Sequence, residues 1–119
     1  MNVTVTFRHI QATEAIKTHV EDKLDHLKKY LIRPIEAHVI LSVEKFRHKC
    51  EITLTARDFR AMALEVSEDL YASIDKAAHK LERQVRRHKE IVKEHKNHLS
   101  VHALAGQVEE EYKAVEENL

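Results

Sequence analysis

A two-layer α+β fold with the element order β-α-β-β-β-α, a four-stranded mixed sheet with two helices packed on one face, follows from three features of the sequence. Four short stretches alternate apolar and polar residues with period two, and two longer stretches carry apolar residues at helical spacing. The first and second strands are separated by a helix, which predicts a right-handed parallel crossover; short links join strands two, three and four, which predicts an antiparallel meander. Each strand mostly shows one clearly apolar side, so both helices belong on the same face of the sheet.

Residues 2–9 form the first strand, with Val3, Val5 and Phe7 on one side and Thr4, Thr6 and Arg8 on the other. Thr13 then caps a helix whose stripe is Ile16, Val20, Leu24, Leu27 and Leu31. Pro34, the only proline, ends it, because proline lacks the N–H donor and its ring clashes with the preceding turn. In the second strand Ile35, Ala37, Val39, Leu41 and Val43 alternate with Glu36, His38, Ile40, Ser42 and Glu44. A polar link, residues 45–48, leads to a third strand in which Cys50, Ile52, Leu54 and Ala56 oppose Glu51, Thr53, Thr55 and Arg57. The fourth strand, about residues 59–66, is apolar in both phases: Phe59, Ala61 and Ala63 on one side, Met62, Leu64 and Val66 on the other. Its burial phase stays open. If the small alanines lie beneath a helix, Met62 and Leu64 join Ile40 on the open side of the sheet.

The second helix spans residue 67 to about 96. Ser67 is a suitable N-cap, and Glu68 and Asp69 put negative charge where unpaired N–H groups and the helix dipole favour it. Leu70, Ile74, Ala77, Ala78, Leu81, Val85 and Val92 make the core-facing stripe. On the other side Lys76, Lys80, Arg83 and Arg87 repeat at spacings of 4, 3 and 4, which confines them to about 60° of arc. Arg86, Lys89, Lys93 and Lys96 form a flanking row.

The formal net charge of +0 hides an uneven distribution. Residues 1–98 hold 19 Lys and Arg against 15 Asp and Glu, a net of +4; residues 99–119 hold 1 against 5, a net of −4. The chain therefore divides into one domain, 1–98, and an acidic C-terminal tail, 99–119, expected to be mobile or transiently helical. A positive domain with a negative tail suggests a polyanionic partner and a modulating role for the tail. The single Cys50 excludes an intramolecular disulfide framework, its phase in the third strand makes it a core residue, and nothing at the N-terminus resembles a signal peptide or a spanning helix. The expected compartment is the cytoplasm.

A run of cations on a helix is ordinarily just a solvated face. Here the excess is uncompensated along the helix, since only Glu82 interrupts it between Lys76 and Lys89 and lies off the strip; phosphate binding is the better reading. Six Tyr and Phe residues are too few for a single-strand stacking platform, so the shape and phosphates of folded RNA suit this surface best. His88, His95, His98 and His102 recur at 7, 3 and 4, a spacing zinc tolerates, but they extend the apolar stripe and no cysteine or carboxylate completes a set. No cofactor or metal is expected. One glycine cannot build a glycine-rich phosphate loop, there is no GxSxG or HExxH, and Asp25, Asp58 and Asp75 have no evident acid/base partner. Catalysis is not expected.

Two segments carry a family resemblance. Val43-Glu44-Lys45-Phe46-Arg47-His48-Lys49-Cys50-Glu51-Ile52-Thr53-Leu54 resembles the VEK-x-RHK-x-EITL segment of the ribosome hibernation-promoting factor and protein Y family. Glu68-Asp69-Leu70-Tyr71-Ala72-Ser73-Ile74-Asp75, followed by Lys80-Leu81-Glu82-Arg83-Gln84-Val85, is similar to its ED-[ML]-Y-x-[AS]-ID and KL-x-RQ signature. The resemblance covers about residues 1–95. It implies a noncatalytic factor that enters the mRNA/tRNA channel of the small ribosomal subunit, occupies the A- and P-site region and reversibly silences translation under stress or in stationary phase.

The implied partners are small-subunit rRNA and ribosomal proteins, with no membrane and no small-molecule substrate, and the chain is expected to be monomeric off the ribosome. Lys80 and Arg83 match the KL-x-RQ cations, Arg87 and Lys89 the following basic run, Lys23 the first helix and Lys45 the VEK lysine. Lys28, Lys29, Lys49, Lys76 and Arg86 are added on charge and location. The alternative from another class is a general double-stranded RNA-binding module. Two departures stand out. Arg57-Asp58 replaces the Asn-Gly that many relatives place between strands three and four, so that turn must differ or strain; and the sequence stops short of the second, dimerising domain of long family members.

Overall fold

The computed structural model describes residues 1–97. Its elements are β1 (Asn2–Arg8), α1 (Glu14–Asp25), a 3-10 turn (His26–Tyr30), β2 (Glu36–Glu44), β3 (Arg47–Thr55), β4 (Arg60–Ser67) and α2 (Leu70–Asn97). The strand order is β1-β2-β3-β4, with β1 parallel to β2 and the other two pairings antiparallel. This is the predicted two-layer α+β fold, a four-stranded mixed sheet covered on one face by α1 and α2. The predicted tail, residues 99–119, lies outside the described residues.

The register lines up one apolar row after another. Val5 pairs with Val39 and Phe7 with Leu41; Val39 pairs with Ile52 and Leu41 with Cys50; Ile52 pairs with Ala63 and Leu54 with Ala61. Side chains alternate across a strand, so these pairings fix the covered face. The phase of β4 is thereby decided: Ala61, Ala63 and the preceding Phe59 are buried, while Met62 and Leu64 are half-buried on the open side with Ile40. Ala77 and Ala78 of α2 are buried as well, and α2 packs on β3 and β4. Small residues on both layers let the helix lie close to the sheet.

Both helices begin with a side-chain cap, one as predicted and one not. Thr13 Oγ1 accepts from the Ile16 N–H at 3.2 Å. The α2 cap is Asp69 and not Ser67: Asp69 Oδ1 accepts from the Tyr71 N–H at 3.2 Å, and the Asp69 carbonyl takes the Ser73 N–H at 3.0 Å. Ser67 is still in β4. The buried Ser73 Oγ donates to the His48 carbonyl and lies within hydrogen-bond distance of Ser67 Oγ, both at 2.6 Å, so α2 is pinned to two strands at its start.

The first helix also departs from expectation. Its α-helical part stops at Asp25, and the chain tightens into the 3-10 turn well before Pro34. Three residues per turn stack side chains at i and i+3. Leu24 and Leu27, both fully buried, are followed three residues later by Tyr30, which packs against the same core. In a continued α-helix Tyr30 would have rotated about 120° away from Leu24.

Candidate RNA interface

α2 presents three faces. Its apolar face, from Leu70 to Val85, is buried on the sheet. A second face meets α1 and the 3-10 turn through three polar pairs at a constant offset of 56 residues: His19 with Asp75 at 2.6 Å, His26 with Glu82 at 3.3 Å, and Tyr30 with Arg86 at 3.2 Å. A constant offset is the register of two segments running in the same direction. The third face carries the predicted strip, where Lys76, Arg83 and Arg87 are exposed and Lys80 is half-buried.

The strip is less bare than its own helix suggests. Lys80 Nζ lies 3.8 Å from Glu65 Oε1 on β4, an acid that spacing along α2 does not reveal. Lys76 and Arg83 have no carboxylate oxygen within 4.0 Å among the described residues, and the same holds for Lys45 and Lys89.

The remaining candidates divide between the other faces and the sheet end. Lys23 Nζ is 3.7 Å from Asp75 Oδ1, the oxygen that also meets His19, and Lys28 pairs with Asp25 at 3.0 Å within the turn. Arg86 belongs to the α1-facing row, where Glu82 lies 3.8 Å away. Lys45 stands apart at the tip of the β2–β3 hairpin, next to Phe46, which is 83 % exposed. Its φ of 55° is the left-handed value a two-residue hairpin needs and usually gives to glycine; for a lysine it costs about 1 kcal/mol.

Sequence reasoning left Tyr30 out of the site. Its ring gathers three cations: Lys29 Nζ at 5.1 Å from the centroid, Lys89 Nζ at 5.5 Å and the Arg86 guanidinium at 5.9 Å. The hydrogen bond from Arg86 favours the phenolate and holds the Tyr30 phenol below its ordinary range; the same bond raises Arg86. The available signal was the three-residue spacing Leu24, Leu27, Tyr30.

The aspartates take structural parts. Asp25 and Asp75 hold the pairs just described, and Asp58 Oδ2 meets His88 Nε2 at 3.1 Å while Asp58 Oδ1 accepts from the Ile32 N–H at 3.4 Å. The turn with Arg57-Asp58 uses no positive φ. It is a wider loop closed by the Ala56 N–H donating to the Phe59 carbonyl at 2.7 Å. His88 is buried against Phe59, with ring centroids 4.5 Å apart, which occupies the first histidine of the suggested metal series; the His95 side chain, His98 and His102 lie outside the described residues. Among the described residues no group of three or more His, Cys, Asp or Glu could hold a metal ion, and no helix is long and apolar enough to cross a membrane. Burial, with Glu51 and Glu65 adding to it, pushes the Cys50 thiol up to about 12, so it packs as a core residue and carries no thiolate near neutral pH.

Fold and surface define a class: a small two-layer α+β module with a cation-rich helix on its solvated side. Within that class the chain belongs to the family described as Sigma 54 modulation protein / S30EA ribosomal protein, whose sequence model matches residues 3–93. It is 37% identical over 90 residues to the ribosome hibernation promoting factor of Azotobacter vinelandii, covering 76% of this chain and 84% of that one. With the factor of the same name from Escherichia coli K12 it shares 34% over 95 residues, 80% of this chain and 100% of the relative. The crystal structure of the Thermus thermophilus Protein Y N-terminal domain superposes with a TM-score of 0.69 at 35% identity, covering 73% of this chain and 98% of that domain.

Proposed function

We propose that this chain is a noncatalytic ribosome hibernation factor that binds the small ribosomal subunit in the mRNA/tRNA channel, over the A- and P-site region, and reversibly silences translation. Its relatives are named for ribosome hibernation, and its own surface supports the same reading. The observation that carries it is the outer strip of α2, where Lys76, Lys80, Arg83 and Arg87 share one face. Clustered cations with few counter-charges gain by releasing the counterions of a nucleic-acid backbone, and a rigid helix keeps them spaced along it. Lys45, Lys23, Lys28, Arg86 and Lys89 extend the contact from the hairpin tip and the α1 side. The acidic tail, opposite in charge to the strip, modulates that contact.

The test is co-sedimentation with purified small subunits, paired with an in vitro translation assay. Replacing Lys80, Arg83 and Arg87 together by Glu should abolish both binding and inhibition; the exposed Arg83 and Arg87 changes each cost within roughly 0.5 kcal/mol of stability, and Lys80→Glu costs more because it sets a second carboxylate beside Glu65. Inhibition at the wild-type level by the triple variant defeats the proposal. Equal affinity for free duplex RNA and for subunits would favour a general double-stranded RNA module instead.

A further inference from the structure

Beside the 3-10 turn, toward the C-terminal half of α2, lies a cleft of about 340 Å³. Tyr30, Leu31 and Ile32 form one wall, and Asp58, His88, Lys89 and Lys93 the other, with Lys29 at the rim. The floor is apolar. Leu31 is buried but Ile32 is 51% exposed, so the floor opens to solvent where the core ends. The rim is cationic: Lys29 and Lys89 sit over Tyr30, and Arg86 is fixed to its hydroxyl.

Three lysines line the cleft against one carboxylate, Asp58, so positive charge is in excess. Among the described residues Lys29, Lys89 and Lys93 have no carboxylate oxygen within 4.0 Å; Asp58, within the cleft, holds the neighbouring His88 and the Ile32 N–H, and Glu82 is engaged with His26 and Arg86. Three ammonium groups converging on one opening repel one another, and an anion entering it relieves that repulsion. A bare phosphate would leave the apolar floor unused, whereas a purely apolar ligand would leave the cations unsatisfied. A nucleotide has both parts, and the volume is at the lower end of small-ligand pockets, enough for one base and its phosphate.

The geometry points to a cleft that captures a single unpaired nucleotide of an RNA strand, its base against Ile32 and Tyr30 and its phosphate among Lys29, Lys89 and Lys93. This inference rests on the RNA-binding reading above and adds a second, pocket-like contact to the backbone contacts of the outer strip. Base contact with an aromatic wall suits unpaired RNA, whose bases are free to leave the stack.

The experiment fills the cleft without changing charge. Ile32→Trp occupies the floor and keeps every cation; small subunits should bind this variant about tenfold more weakly, the lower end of what one stacked base contributes, with an unchanged salt dependence. Wild-type affinity for Ile32→Trp, with binding lost in the Lys80, Arg83 and Arg87 triple variant, overturns the cleft and leaves the strip intact. Retained binding in the triple variant overturns both. A second measurement does not depend on how the larger side chain packs: Tyr30→p-azidophenylalanine, irradiated on the small subunit, should cross-link to one unpaired rRNA nucleotide. A cross-link to a ribosomal protein, or to a base-paired rRNA segment, overturns the inference.

Discussion

Lys76, Lys80, Arg83 and Arg87 would share one face of α2 even if that helix stood alone, whereas Arg86 and Lys89 gain their neighbours only because the chain tightens into a 3-10 turn at residues 26–30. The outer strip is a property of spacing. The inner row is a property of packing, since Tyr30 must be turned toward α2 before Lys29, Arg86 and Lys89 can gather around it. Two cationic surfaces on one helix therefore have different origins and should fail under different perturbations.

The largest expected effect comes from breaking the packing that the inner row needs. Leu27 is fully buried beneath the turn, and Leu27→Ala removes its contacts and leaves a cavity, costing about 3 kcal/mol in urea denaturation. The same variant should loosen the Arg86–Tyr30 hydrogen bond, visible in the Arg86 Nε–H resonance, while the salt dependence of subunit binding set by the outer strip persists. A loss below about 1 kcal/mol would mean that the turn does not depend on its core contact.

A smaller effect separates the rows by their phosphate contacts. On a log–log plot of affinity against salt, each neutralised contact lowers the slope by roughly 0.7 to 0.9. Lys76→Gln should remove about one such increment, because Lys76 is exposed and has no carboxylate partner among the described residues. Arg86→Gln should remove less, since its guanidinium is already engaged by Tyr30 and Glu82. Equal losses, measured by titrating subunits at several salt concentrations, would erase the distinction.

The same division explains what could be read before the fold was known. Strand phases such as Cys50, Ile52 and Leu54, the Thr13 cap and the strip on α2 all depend on residues close in sequence, where period and capping chemistry act directly. Features that join distant segments were hidden. Glu65 beneath Lys80, Asp58 holding both Ile32 and His88, and Tyr30 under Arg86 each need tertiary structure to meet. The fourth strand lies between these cases: its two apolar phases were visible, but only the register against Ile52 and Leu54 chooses Ala61 and Ala63 for burial. The α2 cap was missed because Ser67 and Asp69 are both good capping residues, and β4 holds Ser67 in the sheet as far as its pairing with His48.

The smallest predicted change tests whether the inner row is joined in solution. The Arg86 hydrogen bond, foremost, with its charge and that of Lys29 adding to it, favours the phenolate form of Tyr30 and lowers its folded pKa. For an acid with a depressed folded pKa, the stabilisation is present above the unfolded value and is lost as pH falls through the folded value. The Arg86–Tyr30 contact is therefore strongest in alkali; near neutrality the phenol is uncharged and the contact is an ordinary hydrogen bond. Following phenolate absorbance against pH, with Tyr30→Phe identifying the Tyr30 component, Arg86→Gln should move that component to higher pH. Lys29→Gln should move it less, because its contribution ranks below that of Arg86. A Tyr30 titration unchanged by Arg86→Gln would mean that the guanidinium does not hold the phenol, and the row would then be a set of separate surface charges with nothing to organise the cleft beside it.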